Sequence, residues 1–331
     1  MIKEKAIRCY SYSIKLCLFI KRNISNKYIR SIVFMIVSPY ILLRWILCSI
    51  YENSIGKFLI SCYIRKDNKI KYSNELSVVA IAKNEGEYII EWVRYHLVAG
   101  VEKIYLYDNE SNDGLKDILS KFIEDGTVVY NYFPGKNKQL EAYNHAINKY
   151  KNSSRYIAFI DVDEFIVPTK NEKLIETVNR IMKLQPNAGG IGVNWALYGS
   201  SGYEKKQEKP LTQTFLKRAN DFAWPNFHVK TICNPRLVRD YVSPHFPIYR
   251  LGAWSIDSKG KRQYVWYNHD VDFSQIRCNH YFCKSREEFM VKQARGMADR
   301  NQKYDFSKFD EYDLNDVDDR VMLRYKEYLN S

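Results

Sequence analysis

The stretch FIDVDEFIV, residues 159–167, sets three carboxylates, Asp161, Asp163 and Glu164, inside an otherwise apolar run. Taking even one ionised carboxylate out of water is costly unless a cation or hydrogen bonds compensate it. What these acids face therefore decides how the chain is read, and the residues before them supply the frame. LSVVAIA (76–82) is a short β-branched strand, and EGEYIIEWVRYHLVAG (85–100) follows it with Ile89, Ile90, Trp92, Val93, His96 and Leu97 at helical spacing until Gly100 ends the helix. Strand VEKIYLYDN, helix GLKDILSKFIEDG closed by Gly126, strand TVVYNYF and helix KQLEAYNHAINKY come next, and RYIAFIDV is the fourth strand. This βαβαβαβ series predicts an α/β fold, a mainly parallel sheet flanked by helices, with ligands bound outside the carboxyl ends of its strands.

Three of those strand ends are polar. The first delivers Lys83, Asn84 and Glu85, the second Asp108, Asn109, Glu110 and Ser111, and the fourth Asp161, Asp163 and Glu164. Neither GxGxxG nor GxxxxGKS follows any of them, so dinucleotide and P-loop readings have no motif. Two carboxylates one residue apart at a strand end suit a divalent metal, Mn²⁺ or Mg²⁺, that bridges diphosphate oxygens and stabilises a leaving diphosphate. The spacing alone decides nothing, because HDVDF (269–273) contains a second Asp-Val-Asp, at Asp270 and Asp272. Context separates the pairs: the first ends an apolar strand of the series, the second follows Asn268 and His269 and reads as loop acids. A calcium loop lacks its later glycine and glutamate.

At 331 residues, 46% hydrophobic and 27% charged, the chain has ample material for a core. Its net charge of +13 is concentrated in residues 1–75, which carry fourteen Lys and Arg against four Asp and Glu. A basic end on a nearly balanced body argues against a nucleic-acid groove, and no helix-turn-helix, zinc-finger or RNA-recognition signature is present. The seven cysteines are scattered without a CxxC pair, which predicts free thiols in a reducing compartment. No small-residue cleavage motif follows a clean apolar core near the N-terminus, so no cleavable signal is expected.

The sequence divides into a basic, apolar helical arm (1–75), an α/β domain (76–300) and an acidic tail or helix (301–331). Residues 31–50, SIVFMIVSPYILLRWILCSI, approach the length of a membrane span but are interrupted by Pro39 and Arg44. The mixture of Lys and Arg with Ile, Leu, Phe and Tyr upstream predicts a helix lying on an anionic membrane surface; a helical hairpin packed on the body is the alternative. The expected location is cytoplasmic, peripheral on the inner face of the cytoplasmic membrane.

The order AKNEGEYIIEWVRYHLVAG, IYLYDNESNDG, KQLEAYNHAI and FIDVDEFIV resembles the nucleotide-sugar half of glycosyltransferases with the GT-A fold. It is most similar to the family 92-like branch of the family 2 group, in which the DxDEF form of the DxD motif is typical. VNWALYGSSGY, HVKTICNP and NHYFCKSREEFMVKQARG extend the likeness to Gly296. The resemblance implies a nucleotide-diphospho-sugar donor, a UDP-sugar, a divalent metal, and inverting transfer of a hexosyl group to a glycan or lipid-linked acceptor in polysaccharide biosynthesis. Asp161 and Asp163 then match the metal and diphosphate carboxylates, Lys83, Asn84 and Glu85 the loop near nucleobase and ribose, Asp108 and Asn109 a second nucleoside group, and Gln139 the start of the helix leading to the DxD strand. His280 matches a late metal ligand, with His245 as the other candidate.

Each assignment has a plain structural rival. Lys83-Asn84-Glu85 also reads as a turn capping the next helix, and DNESNDG as turn chemistry. Alternation points Glu164 away from Asp163, which favours pairing with a Lys or Arg over contact with an acceptor. His96 and His145 lie in helices and read as structural. Inversion needs a carboxylate base near the acceptor hydroxyl, and Asp221 and Glu204 are the candidates. Trp195 and Tyr198 suit a sugar-stacking wall or an ordinary core; Lys230 and Arg236 suit the diphosphate, the acceptor or a solvated surface. The rival functions are a metal-dependent nucleotidyltransferase, which would bring a Gly-rich basic loop after its first strand, and a non-catalytic glycan-binding protein at the membrane.

Overall fold

The computed structural model describes residues 51–295 and 305–329 continuously, with scattered helical positions between 31 and 50. The first thirty residues of the arm expected over residues 1–75, and the boundary expected at residue 300, lie outside the described residues. Helix α1 (Lys57–Asp67) leads into β1 (Asn74–Ala82), α2 (Gly86–Val98), β2 (Lys103–Asp108), the short α3 (Leu115–Ile118) and α4 (Ser120–Glu124), β3 (Val128–Tyr132), α5 (Gln139–Tyr150) and β4 (Ser154–Phe159). Strands β3, β2, β1 and β4 are parallel neighbours in that order. The alternation read from the sequence is therefore the architecture of this half. The helix expected over residues 114–126 breaks into two short pieces at Leu119, and Gly100 ends α2 in a left-handed turn, φ 99°, that favours glycine.

The second half widens the sheet. It contributes β5 (Glu164–Pro168), α6 (Leu174–Met182), β6 (Ala188–Leu197), α7 (Leu211–Thr214), β7 (Lys217–Arg218), β8 (Val229–Cys233), β9 (Val238–Ser243), β10 (Phe246–Tyr249), β11 (Trp254–Ile256), β12 (Arg262–Gln263) and β13 (Ile276–His280). Strand β8 runs antiparallel between β4 and β6. Beyond the main path, β13 lies parallel to the end of β6 and antiparallel to β5. That pairing sets His280 opposite Glu164 and closes the sheet around the DxD turn.

Strand alternation feeds two cores. Val78, Ala80, Ile104 and Leu106 face α2 and α6, where Ile89, Trp92, Val93, Val178 and Ile181 are buried. Val79, Ile81, Tyr105, Tyr107, Ile157 and Phe159 face α5, through Ala142, Tyr143, Ala146 and Ile147. His96 is fully buried in α2, its Nδ1 2.8 Å from the Trp92 carbonyl oxygen, and His145 meets the Tyr107 hydroxyl at 2.7 Å; both are structural, as expected. The four described cysteines, Cys62, Cys233, Cys278 and Cys283, are free thiols.

The acidic C-terminal stretch is not a loose tail. Helix α8 (Arg286–Arg295), α9 (Ser307–Tyr312), β14 (Val317–Asp318) and α10 (Lys326–Leu329) pack onto the domain, and β14 pairs with β7. Three of its carboxylates tie it there: Asp313 accepts from the Ser200 amide at 2.6 Å, Asp316 from the Asn220 amide at 3.0 Å, and Asp319 bridges Arg218 and Arg277 at 2.7 and 2.8 Å. The sequence leaves this end open between a tail and a helix; pairing of Asp319 with Arg218 and Arg277 places it inside the domain.

No helix among the described residues is long and apolar enough to cross a membrane. Helix α1 docks at the edge where the parallel strands begin. Its Ile60 and Ile64 pack on the α5-side core, and a Cβ on Gly252 would lie 2.2 Å from the Gly56 carbonyl oxygen, so the backbones there touch. Asp67, 3% exposed, is held by Arg236 at 2.7 Å, Asn234 at 2.7 Å and the Tyr72 hydroxyl at 2.6 Å. Arg236 therefore belongs neither to a ligand site nor to a solvated surface: its place is the arm's anchor. Burial pushes the Asp67 carboxyl up, but Arg236, Tyr72 and Asn234 outweigh it and hold the pKa below 3.8. Arg236→Met should cost about 3–5 kcal/mol in urea unfolding, the usual penalty for stranding one partner of a buried pair. In the unsubstituted protein the Asp67 contribution is present above pH 3.8 and is lost as pH falls through the lowered value.

Candidate active site

The DxD residues occupy the turn between β4 and β5. Strand β4 stops at Phe159, Ile160 stays buried, and Asp161-Val162-Asp163 bends the chain before β5 starts at Glu164. Each of the three carboxylates is met by partners from distant segments. Asp161 accepts from Gln139 Nε2 at 2.7 Å and from the Lys230 ammonium at 2.7 Å, with the Tyr143 hydroxyl at 3.4 Å. Gln139 opens α5, the helix that leads to the DxD strand, and is buried.

Lys230 sits on β8 with no exposure at all, between Asp161 and Glu164, the latter at 3.2 Å. Burial works against its charge, but the two carboxylates outweigh it and raise its pKa. Glu164 is equally buried; its Oε2 accepts from the Asp161 amide at 2.9 Å. Its pKa is pushed up to about 8, chiefly by burial; Lys230 opposes the shift, and Asp161 and Asp163 add to it. Glu164 thus shapes the turn through a lysine, the role favoured by alternation. A lysine read as a surface candidate proves to be the turn's internal counter-ion.

Asp163 faces the other way. Its Oδ2 accepts from the Lys292 ammonium of α8 at 2.7 Å, and its Oδ1 lies 3.6 Å from His280 Nε2. Burial would raise its pKa, yet Lys292 and then His280 hold it well below the usual carboxylate range. His280, 4% exposed, is lowered by burial, with Asp163 opposing, which favours the neutral imidazole a metal would need. The backbone fixes this approach, because the Tyr281 amide donates to the Asp163 carbonyl at 2.9 Å. His245 lies apart, its Nδ1 3.2 Å from the Val229 carbonyl oxygen and its ring on the edge of Trp195.

Among the described residues no group of three or more His, Cys, Asp or Glu side chains is disposed to hold a metal ion. What the turn does offer is a pair. Asp163 Oδ1 and His280 Nε2 are too far apart for a hydrogen bond and face one another, while buried Glu164 Oε1 and His280 Nδ1, 4.0 Å apart, have no hydrogen-bond partner. Mg²⁺ and Mn²⁺ often take one or two protein groups and complete their shell with phosphate oxygens and water, so this pair fits a cation that arrives with a diphosphate. Asp161, its side chain 34% exposed, keeps lone pairs beyond those that Gln139 and Lys230 occupy and could join it.

The loops after β1 and β2 are stitched to each other. The Asn84 amide donates to Ser111 Oγ at 3.0 Å, Asn84 Oδ1 accepts from the Asn112 amide at 2.9 Å, and the Gly86 amide donates to Asp113 at 2.7 Å. The cap of α2 therefore comes from Asp113 and not from Asn84 or Glu85. Lys83 and Asn84 are exposed on this rim, and Glu85 lies 3.8 Å from Lys284. Asp108, 3% exposed, accepts from the Ser111 amide at 2.9 Å and from the Tyr130 hydroxyl, and Asn109 donates to the carbonyls of Phe133 and Gly135. Both build the loops, the turn chemistry that DNESNDG also suggested.

Several candidates fall outside the group. Asp221 pairs with Arg218 at 2.6 Å, which ties it, through Asp319, to the C-terminal segment rather than to Asp163. Glu204 is exposed beside Arg286. Tyr198 is buried, accepting from Arg277 and Asn279, so the core reading holds for it. Trp195, 6% exposed, is enclosed by the rings of His228, His245 and His280 and presents no open wall. In the second Asp-Val-Asp, Asp270 pairs with Lys259 and Lys261 and Asp272 with Ser258 and Ser274, as loop acids do. Lys284 and Lys292 were missed; both belong to the late motif NHYFCKSREEFMVKQARG, and its lysines following His280 were the available signal.

Replacing Lys230 by Met should cost about 3–5 kcal/mol, since Glu164 would be left buried beside a second carboxylate. Adding Glu164→Gln should return a large part of that loss. Urea unfolding of the two single variants and the double variant checks the coupling.

The model of a family described as glycosyltransferase family 92 matches residues 78–329. A family 92 protein of Oryza sativa subsp. japonica is 28% identical over 164 residues, 49% of this chain and 27% of that protein. One of Arabidopsis thaliana is 29% identical over 184 residues, 53% of this chain and 31% of that one. Each match thus spans less than a third of the curated relative's length. Among solved structures, S. aureus TarS 1-349 aligns over 72% of this chain and 69% of its own at a TM-score of 0.37 and 13% identity. Glucosyl-3-phosphoglycerate synthase from Mycobacterium tuberculosis, solved in complex with Mn²⁺ and uridine-diphosphate-glucose, aligns over 37% and 44% at 0.27 and 18%.

Proposed function

The chain belongs to glycosyltransferase family 92, and on that premise we propose that its sheet edge takes a UDP-linked sugar and transfers the sugar, with inversion, to the hydroxyl of a glycan or lipid-linked acceptor. The observation that carries this reading is the apposition of Asp163 and His280 at 3.6 Å, beside Lys292, at the end of a parallel strand series. A divalent Mn²⁺ or Mg²⁺ held by these two residues would supply neutralisation of the diphosphate and of the charge that develops as it leaves.

The chain's own residues divide the remaining work. Lys292 and Lys284, both 13% exposed, stand at the rim and attract the anionic donor. Lys230, Gln139 and Tyr143 fix Asp161, and with it the bend that sets Asp163 against His280 and Lys292. The stitched loops carrying Lys83, Asn84 and Asp108 form the nucleoside edge. The base that takes the acceptor proton is not assigned, because Asp221 is engaged by Arg218. Peripheral attachment to the inner face of the cytoplasmic membrane belongs to the same proposal. It is supported by the exposed side chains of Met35, Ile36, Leu47 and Ile50 and by the basic charge of residues 1–75.

One observation favours a second reading: the Lys292 ammonium already neutralises Asp163, so lysines alone could hold the diphosphate. Donor hydrolysis across a panel of nucleotide sugars, with Mn²⁺ and with chelator, separates the two. The metal reading expects turnover that needs Mn²⁺ and falls about 10²–10³-fold in Asp163→Asn, the loss typical of a removed charge-stabilising group. Turnover undiminished by chelator but lost in Lys292→Met would replace it with the lysine reading. No turnover of any nucleotide sugar, with UDP binding indifferent to Mn²⁺ and to Asp163→Asn, would overturn the transferase reading.

A further inference from the structure

A cavity of about 540 Å³ lies between the arm and the body, at the edge of the sheet opposite the DxD turn. Lys151, Arg239 and Arg250 line it around apolar Ile147, Val238 and Leu251, and Tyr51 closes its arm side. No carboxylate lines it among the described residues, so its charge complements an anion. Its volume suits a phosphate ester with a small polar body.

The surroundings say where such an anion would come from. Tyr51 leads directly into the helical segment on which Ile55, Phe58 and Leu59 are 61%, 69% and 51% exposed, and Leu43, Leu47 and Ile50 are exposed before it. A free phosphate would gain nothing from exposed apolar side chains on the segment that closes its site. A lipid would, because its headgroup can enter the basic cavity while its acyl chains meet the exposed Ile, Leu and Phe side chains. We propose that the cavity lined by Lys151, Arg239 and Arg250 binds the phosphate headgroup of an anionic membrane lipid. This rests on the peripheral-membrane reading above and adds a specific site to it.

The placement has a consequence for the acceptor. Helix α5 reaches from the DxD turn at Gln139 to the cavity at Ile147, about 12 Å along its axis. A chain seated by this cavity turns its donor edge away from the bilayer, toward a glycan extended from the surface.

Sedimentation with phosphatidylcholine vesicles, with and without phosphatidylglycerol, tests the site on the full chain. The unsubstituted protein should partition onto the anionic vesicles, and Arg239→Ala/Arg250→Ala should lower the partition roughly thirtyfold, the loss of two basic residues at an anionic surface. Lys116→Ala/Lys121→Ala removes the same charge from α3 and α4 and should lower it only slightly. Equal losses in the two double variants would overturn the headgroup site while leaving membrane attachment standing. No binding of the unsubstituted protein to anionic vesicles would overturn both. Inorganic phosphate at millimolar concentration should not release the protein from the vesicles; release by phosphate, with loss of that effect in the Arg239/Arg250 variant, would make free phosphate the ligand instead.

Discussion

Three acids cannot sit at the end of an apolar strand without cations, and the site is organised around that requirement. Lys230 is the central response. It enters on the antiparallel strand β8, wholly buried, and holds Asp161 and Glu164 together. A buried ammonium between two carboxylates is tolerable only because each charge is met, and the same pairing fixes how the turn bends. Glu164 is drawn inward, Asp161 keeps part of its side chain exposed, and Asp163 is set against His280 and Lys292.

That division depends on long-range pairing. Lys230 is 69 residues from Asp161, and Lys292 is 129 residues from Asp163. Strand β13 carries His280 to the turn by pairing with both β5 and β6, so the late motif reaches the DxD residues only after the sheet has closed. The C-terminal segment is bound into the same body by Asp313 and Asp319. Its acids answer Arg218 and Arg277 much as Lys230 answers Asp161.

At the opposite edge, Asp67 and Arg236 perform a comparable task for the arm. The two edges of the sheet thus have different duties. One gathers carboxylates, an imidazole and lysines into a polar rim; the other anchors a basic, apolar arm and leaves a cationic cavity beside it. In the proposed reading, donor chemistry and surface attachment are kept apart by the length of the sheet and its helices.

The strand and helix order, the polar strand ends, the preference for Asp161-Val162-Asp163 over the second Asp-Val-Asp and the resemblance to family 92 were all legible in the sequence, because periodicity, turn residues and a motif's position are local properties of the chain. Gln139 was legible as the start of the helix leading to the DxD strand for the same reason. The duties of Lys230 and Arg236 were not, since a basic side chain destined for burial and one destined for solvent look alike until a partner is known. Nor were the partners of the acidic end, which the sequence leaves open between a tail and a helix. The sequence by itself determined which strands exist and which of them end in acids; the tertiary structure decided which cation each acid meets, because that depends on residues brought together only when β8, β13 and α8 pack against the turn.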